Sequence, residues 1–167
     1  GNYLQANQLD GTTRFDIVLT DGVNDPPVNV VPGNQTTPED APLVFNATNG
    51  NAISVSDQDA YLGTNVLSVT LTATNGKLTL VTIPVGLVFG TGDGTDDLTM
   101  EFTGKLQDLN LALEGLTFTP DLDFAGAASV TILTNDLGQF SGPPASSALD
   151  AIAIDVTPVN DPPIFTL

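Results

Sequence analysis

The chain has 167 residues, 41% of them apolar, enough for one core-forming domain or one domain with part of a neighbour. Three cations, Arg14, Lys77 and Lys105, stand against twenty Asp and Glu for a formal net charge of −17, which argues against nucleic-acid partners and against docking on an anionic membrane. There is no Cys and no His, which removes disulfides, thiol nucleophiles, structural zinc and the commonest general base.

The chain starts at Gly1 without an initiator Met or a leader and reads as an excised piece. Residues 12–20 form an expected strand, followed by Val23-Asn24-Asp25-Pro26-Pro27. That motif returns as Val159-Asn160-Asp161-Pro162-Pro163, a period of 136 residues (159 minus 23). The apolar run before each copy matches in type, Phe15 to Leu19 against Ala151 to Asp155. Residues 1–22 are therefore expected to be the last strand of a preceding repeat, 23–163 one repeat with its leading linker, and 159–167 the linker and start of the next. A strand cut from its sandwich is expected either to fray or to pair with the edge of another molecule, giving a strand-swapped dimer that depends on where the chain is cut.

Strands are expected at 52–56, 66–74, 77–82, 86–89, 98–103, 115–119, 127–134 and 149–157. Alternation is clearest in Leu67-Ser68-Val69-Thr70-Leu71-Thr72, where apolar and hydroxyl side chains take opposite faces. Asn75-Gly76 between two strand patterns predicts a hairpin, and Asn49-Gly50 another turn. Leu106, Leu109, Ala112, Leu113 and Leu116 follow a helical period and predict one short connector helix at about 104–114, begun by Thr103 or Gly104 and ended by Gly115. Leu80 to Phe89 is too short to span a membrane and is interrupted by Pro84 and Gly86, so no membrane insertion is expected. The expected fold is an all-β sandwich.

The residues able to carry chemistry are acidic and lie in turns: Glu39-Asp40, Asp57-Gln58-Asp59, Asp121-Leu122-Asp123 and Asn135-Asp136. Ca²⁺ takes about six to eight oxygen ligands, and carboxylates one residue apart in a turn project toward one ion while carbonyls fill its shell. Asp and Asn also favour turns without any ion, but repeated acidic turns in a chain nearly free of Lys and Arg strengthen the metal reading. The loop Gly90 to Leu98 resembles one nonapeptide of a Ca²⁺-binding β-roll, yet Thr91 occupies a glycine position and no tandem copy follows, so a solvated hairpin loop is expected. The sequons at Asn34 and Asn46 read as ordinary loop residues, and Lys77 and Lys105 as exposed lysines.

Four segments together, Thr37 to Leu43, Ile53 to Ala60, Leu116 to Pro120 and Val156 to Pro163, resemble the bacterial cadherin-like repeat of giant RTX-type surface adhesins. The resemblance covers residues 23–163. It implies an Ig-like, cadherin-like β-sandwich in an extracellular tandem array on the bacterial cell surface, with Ca²⁺ at the joints and neighbouring repeats of the same chain as partners. Carried over residue by residue, it implies a leading joint of Asn24, Asp25, Asp57, Asp59 and Asp136, and a trailing joint of Glu39, Asp121 or Asp123, Asn160 and Asp161. Asp121-Leu122-Asp123 departs from the cadherin Asp-Arg-Glu triplet, which leaves the number of ions per joint open.

The implied role is a non-enzymatic, Ca²⁺-stiffened extender that projects a distal binding domain. A carbohydrate- or protein-binding module is the alternative, but it calls for exposed aromatics, and besides eight Phe mostly in strand patterns only Tyr3 and Tyr61 qualify. A glycoside hydrolase using paired carboxylates fits the residue types without any visible cleft-forming scaffold.

Overall fold

A computed structural model describes residues 24–60, 66–138 and 144–162. The expected strand at 12–20, both tyrosines and residues 163–167 lie outside them. Eleven strands and one helix follow in chain order. These are β1 (Val28–Val30), β2 (Gln35–Pro38), β3 (Leu43–Phe45), β4 (Ser54–Ser56), β5 (Leu67–Thr74), β6 (Gly76–Thr79), β7 (Val88–Thr91) and β8 (Thr99–Gly104), then α1 (Leu106–Leu113), β9 (Leu116–Pro120), β10 (Gly126–Asn135) and β11 (Ser147–Thr157). The protein is all-β with one short helix. A six-stranded sheet in the order β2-β11-β10-β5-β8-β7 and a three-stranded sheet β3-β9-β6 make a sandwich, supplemented by the pair β1-β4. Among the described residues no helix is long and apolar enough to cross a membrane.

Alternation in sequence becomes alternation in burial. In β5 Leu67, Val69, Leu71 and Ala73 are buried while Thr70 and Thr72 are only partly covered; Ser68 is the exception on that face, also buried. Facing side chains of the other sheet, Phe45, Leu78, Leu116 and Phe118, complete the core with Leu109 and Leu113 of α1. The helix begins later than expected, with Lys105 as a cap that makes no side-chain bond, and ends as expected before Gly115, whose φ of 90° is costly for any residue bearing a Cβ.

Two expectations are corrected. Asn75-Gly76 makes no hairpin, because β5 pairs with β8 and β10 while β6 pairs with β9: the turn carries the chain from one sheet to the other. Gly76 is needed for contact rather than for its dihedral angle, since a Cβ there would strike the Phe118 ring and the Thr119 carbonyl. Asn75 holds the corner by donating Nδ2 to the Ala127 carbonyl at 2.9 Å. The second correction is the presence of β1, β2 and β3, whose three or four residues are too few to show a period. The loop after β7 does close an antiparallel hairpin with β8.

Strand directions define two poles. β10 ends and β11 starts at the leading pole, through the pair Asn135↔Ser147, and β4 ends there beside the start of β1, through Val28↔Ser56. At the trailing pole β11 ends beside the parallel strand β2, with Thr157↔Pro38, and β10 starts opposite, with Gly126↔Val156.

Candidate metal centre at the leading pole

Where β4 ends, Asp57 turns the chain by accepting the backbone N–H groups of Asp59 at 2.9 Å and Ala60 at 3.0 Å on its Oδ1. The residue is only 5% exposed, and its other oxygen, Oδ2, is buried with no hydrogen-bond partner. Where β10 ends, Asp136 is fully buried and its Oδ1 accepts N–H bonds from Ser146 at 2.8 Å and Gly138 at 2.9 Å. The linker joins both turns. Asn24 donates its amide to Asp136 Oδ2 at 2.7 Å, Ser146 Oγ at 3.2 Å and the Pro144 carbonyl at 3.3 Å, while the Asp25 N–H donates to Asp59 Oδ2 at 2.8 Å.

Asp136 and Pro144 at the amide nitrogen are pure acceptors, so the orientation of Asn24 is fixed, and its Oδ1 is left buried without a donor. Two oxygens at one pole thus lack partners. Burial raises the Asp57 carboxyl above the usual range; the N–H bonds from Ala60 and Asp59 oppose the shift, and the charges of Asp59 and Asp136 reinforce it. An oxygen-only donor set carrying excess negative charge fits a hard divalent cation. Among the described residues, however, no group of three or more Asp, Glu, His or Cys side chains is gathered closely enough to hold an ion by itself. The carboxylates are tied separately, Asp57 and Asp136 to backbone N–H groups and Asp59 to the linker, and the Asn24 amide is needed to complete any shell. Asp25 reaches the pole through its N–H.

No protein-family model matches this chain, and no curated protein does either.

At the trailing pole Glu39 is 9% exposed, and it accepts the Val159 N–H on Oε1 at 2.7 Å while donating its own N–H to the Thr157 carbonyl at 3.0 Å. It therefore grips the trailing linker by the backbone. Asn160 and Asp161 are exposed beyond it, and among the described residues the Asn160 amide donates only to the Asp161 carbonyl, at 3.4 Å. Asp121 and Asp123 are exposed on the turn between β9 and β10, which is held by Asp121 N–H to the Asn75 carbonyl and by Phe124 N–H to the Asp121 carbonyl, both at 3.1 Å. Among the described residues no hydrogen bond joins that turn to Glu39 or to the linker. Of the trailing set, Glu39 meets the linker at the Val159 backbone, and among the described residues no hydrogen bond joins it or the Asp121–Asp123 turn to the side chains of Asn160 and Asp161.

Three residues that position the leading pole were missed in the sequence. Ser146 supplies an N–H to Asp136 and an Oγ to Asn24. Asn110 of α1 grips the free edge of β4, its Oδ1 accepting the Val55 N–H and its Nδ2 donating to the Val55 carbonyl, both at 2.8 Å. Asn29 of β1 accepts the Thr134 hydroxyl at 2.6 Å and donates to the Ala148 carbonyl and Asp150 Oδ2, both at 3.1 Å, tying the strand after the linker to β10 and β11. The one partial signal is Asn29 between two valines, a polar side chain in an apolar strand that calls for a partner; Ser146 and Asn110 carry none.

Proposed function

We propose that this chain is a Ca²⁺-binding, cadherin-like extender repeat of a bacterial cell-surface adhesin. The observation that carries the reading is the buried, unpartnered Asp57 Oδ2 at the pole where the leading linker is fastened. A buried ionised oxygen without a donor is costly, and a divalent cation removes that cost by supplying charge and coordination together. Asp57, Asp59, Asp136, Asp25 and the Asn24 amide oxygen are the residues that would hold the ion. The bound cation would neutralise the pole and lock the linker to the sandwich.

The period of 136 residues supports an array, because the trailing linker carries the same Val-Asn-Asp-Pro-Pro as the leading one. Glu39 would hold it from the upstream side, as the Asp57 and Asp136 turns hold the leading linker from the downstream side. Proline pairs in the linkers restrict bending, so successive repeats become a rod where Ca²⁺ is millimolar, as outside the cell. No catalytic step belongs to this role.

Thermal melting in chelator and in millimolar Ca²⁺ tests it. A ligand that binds only the folded state raises its stability, so the midpoint should rise with Ca²⁺, and an unchanged midpoint overturns the proposal. Asp59→Ala, exchanged outside the core, should lower Ca²⁺ affinity in isothermal titration by roughly tenfold or more.

A further inference from the structure

The segment from Leu78 to Gly92 contains no charged residue, although the chain as a whole carries twenty acids and three cations. Four exposed apolar side chains also lie close together in it along the chain: Val81 is 69% exposed, Val88 67%, and Val85 fully so, with Ile83 between them beside Gly94. This strip leads into β7, the last strand of the six-stranded sheet, which pairs with β8 on one side and, among the described residues, has no strand on the other. An exposed apolar strip beside an edge strand is a docking surface or an aggregation hazard.

The charges around the strip select its occupant. Asp93, Asp96 and Asp97 follow β7 in the loop, and Glu101 of β8 lies 3.6 Å from where a Cβ on Gly90 would stand. Against these four carboxylates the neighbouring β6 supplies one cation, Lys77. At the other end Asp108 lies against Gly86 with Lys105 close by in the chain, so that end is nearly balanced. A second copy of this chain would set acid against acid, with a net charge of −17 on each copy.

We propose that the strip and β7 bind an extended segment of another protein, apolar at alternate positions and basic at one end, added as a strand to the sheet. Backbone pairing with β7 supplies attachment, Ile83, Val85 and Val88 receive the apolar side chains, and the acidic loop fixes orientation. The inference does not rest on Ca²⁺ at the leading pole.

Fluorescence anisotropy tests it, using a labelled synthetic peptide of alternating Val and Thr ending in Lys residues and a second peptide ending in Glu instead. The Lys peptide should bind, more weakly as salt rises, and the Glu peptide should not. Val85→Asp and Ile83→Asp should each lower the affinity by about tenfold or more, as truncating a central anchor does. Both side chains are exposed, so a melting curve will verify that the variants are folded. Equal binding of the two peptides, no binding, or an undiminished Val85→Asp variant overturns the proposal. A concentration-dependent dimer abolished by Val85→Asp, or capture by phosphatidylcholine vesicles, overturns it too and assigns the strip to a second copy or to a bilayer.

Discussion

Asp57 spends one carboxylate oxygen on two backbone N–H groups and leaves the other buried and unpaired, the arrangement on which the proposed cation site rests. Replacing it by Asn keeps the shape and removes the charge that Asp59 and Asp136 repel. In chelator Asp57→Asn should melt at or above the wild-type temperature, and in millimolar Ca²⁺ it should show little of the wild-type increment; differential scanning calorimetry reads both. The pH dependence follows from the raised carboxyl. Folding favours its protonated form, so without a cation its contribution to stability is greatest below the ordinary aspartate value of about 4 and is lost as pH rises through the folded value. The melting difference between wild type and Asp57→Asn in chelator isolates this term, and it should grow less favourable to wild type across that interval. Ca²⁺ needs the ionised form, so its apparent affinity should fall as pH drops through the same interval.

At the scale of elements, β4 is only three residues long and yet delivers Asp57. It is held by β1 on one side and by the Asn110 amide on the other. Asn110→Ala leaves the Val55 N–H and carbonyl without those partners and should cost about 1–3 kcal/mol in urea unfolding, with a weaker Ca²⁺ response than the stability loss alone explains. Gly76→Ala should cost a similar amount, about 1–3 kcal/mol, because the Phe118 ring must move to admit a methyl group. The same corner shows where reading the sequence stops. Long strands such as β5 and β10 announce themselves by alternation, and α1 by its leucine spacing, because each buries one face along its whole length. An Asn-Gly turn specifies a reversal but not which sheet receives the chain afterwards; that is set by the long-range pairings of β5 with β8 and β10 and of β6 with β9. The acidic turns of the leading pole were legible as turns and as a resemblance, whereas Ser146, Asn29 and Asn110 act through pairings 122, 105 and 55 residues away in sequence, which no local pattern encodes.

The whole molecule is a strongly acidic particle whose own cations are too few to balance it. Self-repulsion should make the ion-free fold sensitive to ordinary salt: in chelator, raising NaCl from low to physiological concentration should raise the melting midpoint, and the gain should shrink once Ca²⁺ is present. Direction matters as well as charge. The described chain enters at the leading pole through Asn24 and leaves at the trailing pole past Thr157, and on the way β2 lies parallel to β11 over the pairs Ile154↔Gln35 to Thr157↔Pro38. Tension applied between those two ends draws β2 toward one pole and β11 toward the other, along their common axis. The bonds between them are then strained side by side in shear rather than opened one after another like a zip, so the fold resists stretching best along the line on which its two linkers depart.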